Sequence, residues 1–288
     1  MSFQYHEPVS LAEAVDLGAR FGADGRFLAG GTDLIIQMRR GKVALRHVLS
    51  LHRMPDLDAI EVNGSVRLGA LVTHREIETS VLVKEKFPVL CEAEREVANI
   101  RVRNMGTVGG NLASGEPLTD LSQIFIALDA RAEITGPDGQ RTILLEELFV
   151  DFYQTNLADD EILTHVVIPP LPLRSGIEYI RFSSSSVVDK PSAGVAVRIS
   201  LETNNELCQL VRVVLGCVGA TPVRALKAEA LLTGKKVTPE LAEEAGATAS
   251  QECSPTSDLR GSEHYKRAIV RTLVKRAASK AYEQSLGN

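Results

Sequence analysis

Residues Asn99 to Leu121 read NIRVRNMGTVGGNLASGEPLTDL. Gly106, Gly109, Gly110 and Gly115 stand there among small polar residues, with no apolar periodicity that would drive a buried helix. A shorter stretch of the same character, FLAGGTDL, covers Phe27 to Leu34. Adjacent glycines let backbone approach a ligand with no Cβ in the way. Phe27-Leu28-Ala29 reads as a short buried strand running into Gly30-Gly31-Thr32-Asp33, and LIIQMRRG as a short helix ended by Gly41. The first glycine pair is therefore a strand-to-helix turn, where outward N–H groups and the helix dipole favour an anion. One glycine pair alone is more often a plain turn. Two loops, each with a threonine (Thr32, Thr107) and an Asp or Asn, suit a structural turn and a phosphate cradle equally well. The reading adopted is that both loops hold the phosphates of one cofactor. The spacing is neither G-x-G-x-x-G nor a P-loop, which argues against an ordinary dinucleotide fold or an NTPase.

Outward from these loops, Ser10 and Glu13 form a capping-box pattern ahead of a helix that stops near Gly22 and Gly25. His47 to Leu51 reads as a strand, and Asn63-Gly64 as the hairpin turn of IEVNGSVRLGAL. Thr73 and Glu76 make a second capping box, and Pro88 to Ala98 a helix. After Asp120 come a helix, a strand and a Pro-Asp-Gly turn. Asp159-Asp160 and the prolines Pro169, Pro170 and Pro172 mark a boundary. Beyond it IEYIRF, AGVAVRISLE and LVRVVLGCVGA read as three strands, and two helices, near Ala225 to Leu232 and Ser262 to Tyr282, close the chain. Six basic residues from Lys266 to Lys280 read as the solvated face of the last helix, with a docking surface as the lesser alternative.

The 288 residues leave room for two domains, and 44% hydrophobic with 24% charged residues is ordinary for a soluble globular chain. A net charge of −5 argues against nucleic acid as a partner. The opening MSFQYHEPVS lacks a signal-peptide pattern and no apolar run is long enough for a membrane span, so the expectation is cytoplasmic. Cys91, Cys208, Cys217 and Cys253 show no CxxC, and the six histidines no metal-ligand spacing. Gly216-Cys217-Val218-Gly219 reads as structural, and Arg101 and Arg103 as equally suited to phosphate or a salt bridge. No acid–base or nucleophile constellation stands out, so no catalytic residue is assigned and any chemistry belongs to a redox cofactor.

FLAGGTDL followed by IRVRNMGTVGGNLASGEPLTDL resembles the FAD-binding medium subunit of the molybdenum hydroxylases, the group of the xanthine dehydrogenase and carbon monoxide dehydrogenase flavoproteins. RLGALVTHREIE, GCVGATPVRA and SDLRGSEHYKRAIVRTLVKRA resemble its linking and C-terminal segments, so the likeness covers nearly the whole chain. The resemblance implies an α+β fold. A two-subdomain FAD-binding domain of the vanillyl-alcohol oxidase (PCMH) type would cover residues 1–172, with subdomains of about 1–56 and 57–172. A small C-terminal α+β domain of the CO dehydrogenase flavoprotein type would cover 173–288. Carried over by position, Phe27, Leu28, Ala29, Gly30, Gly31, Thr32, Asp33 and Leu34 would wrap the FAD pyrophosphate from one side. Thr107, Gly109, Gly110 and Asn111 would hold it from the other, with Asp120, Val97, Leu163 and Arg181 as further contacts. Relatives often carry Lys where Arg181 stands, and SSSSVVDKPSAG departs from the usual pattern. The resemblance also implies a large molybdenum-cofactor subunit and a small [2Fe-2S] subunit as partners in a dimer of heterotrimers, with an acceptor such as NAD or ferredoxin. One relative, the 4-hydroxybenzoyl-CoA reductase flavoprotein, carries an added cysteine-rich loop with an iron–sulfur cluster; no cysteine lies between Cys91 and Cys208, so none is expected here. The alternatives are a self-contained FAD-dependent oxidoreductase with its own substrate pocket and a non-enzymatic nucleotide-binding module.

Overall fold

Parallel strands need a crossover long enough to return the chain to the same end of the sheet. In the computed structural model, which describes residues 2–184, 186 and 189–287, two helices supply it. Helix Leu11–Phe21 joins strand Gln4–His6 to strand Gly25–Leu28, and helix Leu34–Arg39 joins the latter to strand His47–Ser50. The result is a small parallel sheet with His47–Ser50 in the centre. Ser10 caps the first helix as its spacing predicts, its Oγ accepting from Glu13 N–H at 3.2 Å; the Glu13 carboxylate turns back to Val9 N–H rather than to Ser10.

The second unit is built on a five-stranded antiparallel sheet in the order Ile60–Asn63, Ser65–Gly69, Ile162–Ile168, Arg131–Gly136, Gly139–Leu144. Gly64, at φ +75°, makes the Asn63-Gly64 hairpin. The late segment Ile162–Ile168 takes the central place, a pairing no local pattern announces. Short helices cover one face, and Thr73 closes a full capping box with Glu76. Leu121–Ala127 is buried at every position, with Phe125 at 0% exposure inside the largest apolar cluster.

The central glycine stretch differs from expectation. It contains helices Ile100–Arg103 and Val108–Ala113, and the second buries Val108, Gly109 and Leu112. Such short helices leave too few residues to display a period. Their signal is the cap: Thr107 Oγ1 accepts from Gly110 N–H at 3.1 Å.

Strands Ser175–Phe182, Ala193–Leu201, Cys208–Gly216 and Val223–Arg224 form an antiparallel sheet in chain order. It is buried on both faces. Val195, Val197, Val213 and Leu215 meet the C-terminal helices, whereas Ile177, Ala196 and Val214 join the core around Phe125. Three helices, not two, complete the unit: Leu226–Leu232, Pro239–Glu252 and Glu263–Gly287. Pro239–Glu252 buries Ala242, Ala245, Gly246 and Ala249, a stripe too small to read as an apolar face. Gly246 explains it, because a Cβ there would stand 2.2 Å from Arg271 O of the neighbouring helix. Lys266 is corrected as well: it is buried, with Nζ 2.9 Å from Asp258 and 2.9 Å from Thr256 O, so it does not belong to a solvated face.

Candidate functional site

The two glycine turns touch. A Cβ on Gly30 would stand 1.7 Å from Met105 O and 3.0 Å from the Gly106 Cα, so Gly30 is the point where one turn seats on the other. Gly31 has φ +69°, which a side chain resists. Gly109 packs its Cα on Ala70, 2.5 Å from where a Cβ would be. Gly110 is the least crowded of the four that line or touch the turns, with only side-chain atoms near its Cβ position, Thr107 Oγ1 at 3.0 Å and Ala29 Cβ at 3.6 Å. Two of the four glycines are thus required by packing, one by backbone conformation, and one leaves a cradle.

Beside this contact lies a cavity of about 810 Å³, within the range of small-molecule and cofactor sites. Phe27 to Leu34, Val97, Thr107, Gly109, Gly110, Asn111, Asp120, Leu163 and Arg181 all line it. Among the described residues, the N–H groups of Gly30, Gly31, Thr32 and Asp33 donate no hydrogen bond, and Asn111 Oδ1 is buried with no partner. Unpaired donors in a row favour an anion, and a buried orphaned amide oxygen calls for a polar partner. The cradle therefore fits a diphosphate.

The far wall is electrostatically tied. Asp120 accepts from Tyr179 Oη at 2.7 Å and faces Arg181 Nε at 3.4 Å. Burial pushes the Asp120 carboxyl up, opposed by the Arg181 charge and the Tyr179 hydrogen bond. Burial, then Asp120, pushes the Tyr179 phenol up in turn. Arg181 also donates to Ser183 Oγ at 3.0 Å, Asp189 O at 2.5 Å and Glu96 O, which ties Ser183 and Asp189 to the end of the helix Pro88–Glu96. Part of SSSSVVDKPSAG lies outside the described residues.

Among the lining residues that sequence reasoning missed are Glu116, Tyr153, Lys190 and His74. Glu116 accepts from both Tyr153 Oη and Lys190 Nζ, joining the hairpin Phe149–Asp151/Gln154–Thr155 to the cavity wall. Its place in the GEPLTDL run was the only local hint. His74 also lines the cavity, at the start of THREIE. Arg101 and Arg103 do not line it. Arg103 pairs with Glu78 at 3.0 Å and donates to Val97 O at 3.0 Å, so it holds the chain beside the cavity.

By fold and cleft the chain is a two-lobed cofactor-binding domain with an α+β domain appended. Residues 1–171 match the family model described as the FAD binding domain in molybdopterin dehydrogenase, and residues 179–281 match the CO dehydrogenase flavoprotein C-terminal domain. The chain belongs to this family of FAD-binding flavoproteins of the molybdenum hydroxylases. It is 33% identical over 281 residues to the carbon monoxide dehydrogenase medium chain of Hydrogenophaga pseudoflava, covering 97% of each chain. It is 34% identical to the nicotine 6-hydroxylase medium subunit of Paenarthrobacter nicotinovorans, again over 97% of each. A solved structure of the Hydrogenophaga carbon monoxide dehydrogenase superposes with a TM-score of 0.94 over 99% of this chain and 98% of that one, at 33% identity.

Proposed function

We propose that the chain binds FAD in the cleft between its first two units and serves as the electron-transfer subunit of a molybdenum hydroxylase complex. The supporting observation is the seated pair of glycine turns with a row of N–H donors that are unpaired among the described residues, beside Gly110. Gly30, Gly31, Thr32 and Asp33 would meet the diphosphate from one side, and Thr107, Gly110 and Asn111 from the other. Val97, Leu163, Asp120 and Arg181 would hold the remaining wall against the cofactor, and Phe27, Leu28, Ala29 and Leu34 back the first turn. Gly109 lines the same turn while its Cα stays packed on Ala70. When bound, FAD supplies the redox chemistry; the chain binds it, orients it and keeps water from it. The Glu116 bridge to Tyr153 and Lys190 ties three lining residues of the cavity together.

The relatives are named as the medium chain of a carbon monoxide dehydrogenase and the medium subunit of a nicotine 6-hydroxylase. One kind of chain serves unlike substrates, which supports a role in electron transfer rather than substrate choice. The partners are then a large molybdenum-cofactor subunit and a small [2Fe-2S] subunit, arranged as a dimer of heterotrimers in the cytoplasm. Electrons leave to an acceptor such as NAD or ferredoxin. Gly110→Val tests the cradle. Its added methyls enter the space beside Thr107 Oγ1 and Ala29, so the folded variant is expected to lose most of its FAD, read as flavin absorbance per protein. Wild-type FAD content in that variant places the cofactor elsewhere.

A further inference from the structure

One buried titratable pair at the cavity wall has no part in the binding scheme above. His74 is stitched to the second glycine turn, its N–H donating to Gly106 O at 3.0 Å. Its ring lies along Gly106, where a Cβ would stand 2.9 Å from Cδ2 and 3.2 Å from Nε2. Nδ1 lies 2.9 Å from Glu94 Oε2. Glu94 is 0% exposed, and its Oε1 has no partner. Nε2 makes no hydrogen bond among the described residues, while His74 lines the cavity.

A buried carboxylate with a single partner is costly as an anion. Burial pushes the Glu94 carboxyl up and His74 opposes it. The pair therefore keeps one proton between Oε2 and Nδ1. Glu94 and His74 are both buried and Glu94 Oε1 has no partner, so the pair is held without net charge: beside the shared proton the imidazole keeps a second hydrogen, and with Nδ1 engaged that hydrogen sits on Nε2. The other charges nearby are already matched. Glu78 is paired with Arg75 and Arg103, and Asp120 with Arg181 and Tyr179; Glu96 also faces Arg181. The wall beside the pair is apolar, with Val97 and Val102, which suits a flat ring better than a phosphate.

Building on the flavin reading, we propose that His74, held by Glu94, is a positioning residue for the flavin ring. It keeps one N–H donor at Nε2 on the cavity wall, where the donor stabilises the electron-rich reduced form of the cofactor. No proton enters or leaves the pair in this role; it only shifts between Oε2 and Nδ1.

The test uses the protein purified with its own FAD, with flavin content and midpoint potential measured separately by anaerobic dye-coupled titration. His74→Leu is expected to keep FAD and to disfavour the reduced form about tenfold, a fall of ~30 mV for a two-electron couple. His74→Gln, which retains an N–H, recovers part of the fall. Glu94→Leu frees Nδ1 to take the hydrogen and also lowers the potential, so it decides the matter if His74→Leu does not fold. An unchanged potential in His74→Leu or Glu94→Leu with full FAD overturns the proposal. Equal FAD loss in His74→Leu and His74→Gln also overturns it, because the residue then serves retention. A wild-type chain without flavin removes the flavin reading itself, a result distinct from these.

Discussion

Gly30→Ala is the sharpest perturbation the fold offers. The new Cβ would stand 1.7 Å from Met105 O, and the Gly106 Cα at 3.0 Å leaves no way round. Relieving the contact means parting the two glycine turns by about 1.5 Å, since non-bonded carbon–oxygen contacts settle a little above 3 Å. Overpacking of this kind costs ~1–3 kcal/mol, and in a chain this long each kcal/mol lowers Tm by about 2–4 °C. The same displacement moves the free N–H groups of Gly30 to Asp33 away from Thr107 and Asn111. Losing one charge-assisted hydrogen bond to the diphosphate costs ~1.5–3 kcal/mol, roughly 10- to 150-fold in FAD affinity. Gly31→Ala is the control. Its φ of +69° costs ~1–2 kcal/mol, yet its Cβ meets only the Ile35 and Leu28 side chains at 3.3 Å, so the turns stay seated. Apoprotein of each variant is titrated with FAD by flavin fluorescence, alongside thermal unfolding without FAD. The expected pattern is a much larger affinity loss for Gly30→Ala than for Gly31→Ala. Equal affinity in Gly30→Ala and wild type would refute the claim that turn-to-turn contact sets the site.

Two further outcomes follow from charge placement. Asp129 is bonded to Arg212 at 2.8 Å and to the buried Arg198, bridging the core around Phe125 to the C-terminal sheet. Asp129→Ala strands the Arg198 charge and should cost ~3–5 kcal/mol in urea unfolding. Burial raises the Asp129 carboxyl, but the two arginines outweigh it and hold the group below its ordinary range. Its contribution is therefore full above the unfolded pKa, about 4, and fades as pH falls through the lower folded value. At the other end of the chain, His6 Nε2 lies 3.1 Å from His47 Nδ1, and burial, then His47 and Arg20, lower the His6 pKa. A base depressed in the folded state loses its stabilising share as pH drops below its unfolded pKa, about 6.5. The protection of the strand Gln4–His6 amides, measured as exchange relative to the intrinsic rate at each pH, should fall between about pH 7.5 and pH 5.5, and His6→Gln should flatten that fall.

Much of the site was legible because it is local chemistry. The Asn63-Gly64 hairpin, the Thr73–Glu76 box and the Gly30-Gly31 strand-to-helix turn each depend on a few adjacent residues, and the structure has all of them. The three long strands of the C-terminal sheet were visible from alternation alone. Helix Pro239–Glu252 was missed although Thr238 and Pro239 mark its start, because its buried stripe is alanine and glycine. The two helices inside the central glycine stretch were missed because neither is long enough to show a period.

The sequence by itself determined that two glycine turns exist, what they are made of, and the family to which the chain belongs. Tertiary structure alone decided what each glycine meets: Gly30 Met105, Gly109 Ala70, and Gly110 only the side chains of Thr107 and Ala29. It alone placed Ile162–Ile168 at the centre of its sheet, Glu94 behind His74, and Tyr153 and Lys190 on Glu116. The reason is that a missing Cβ is written in the chain, whereas the atom that fills its place comes from a segment tens of residues away and is chosen by packing.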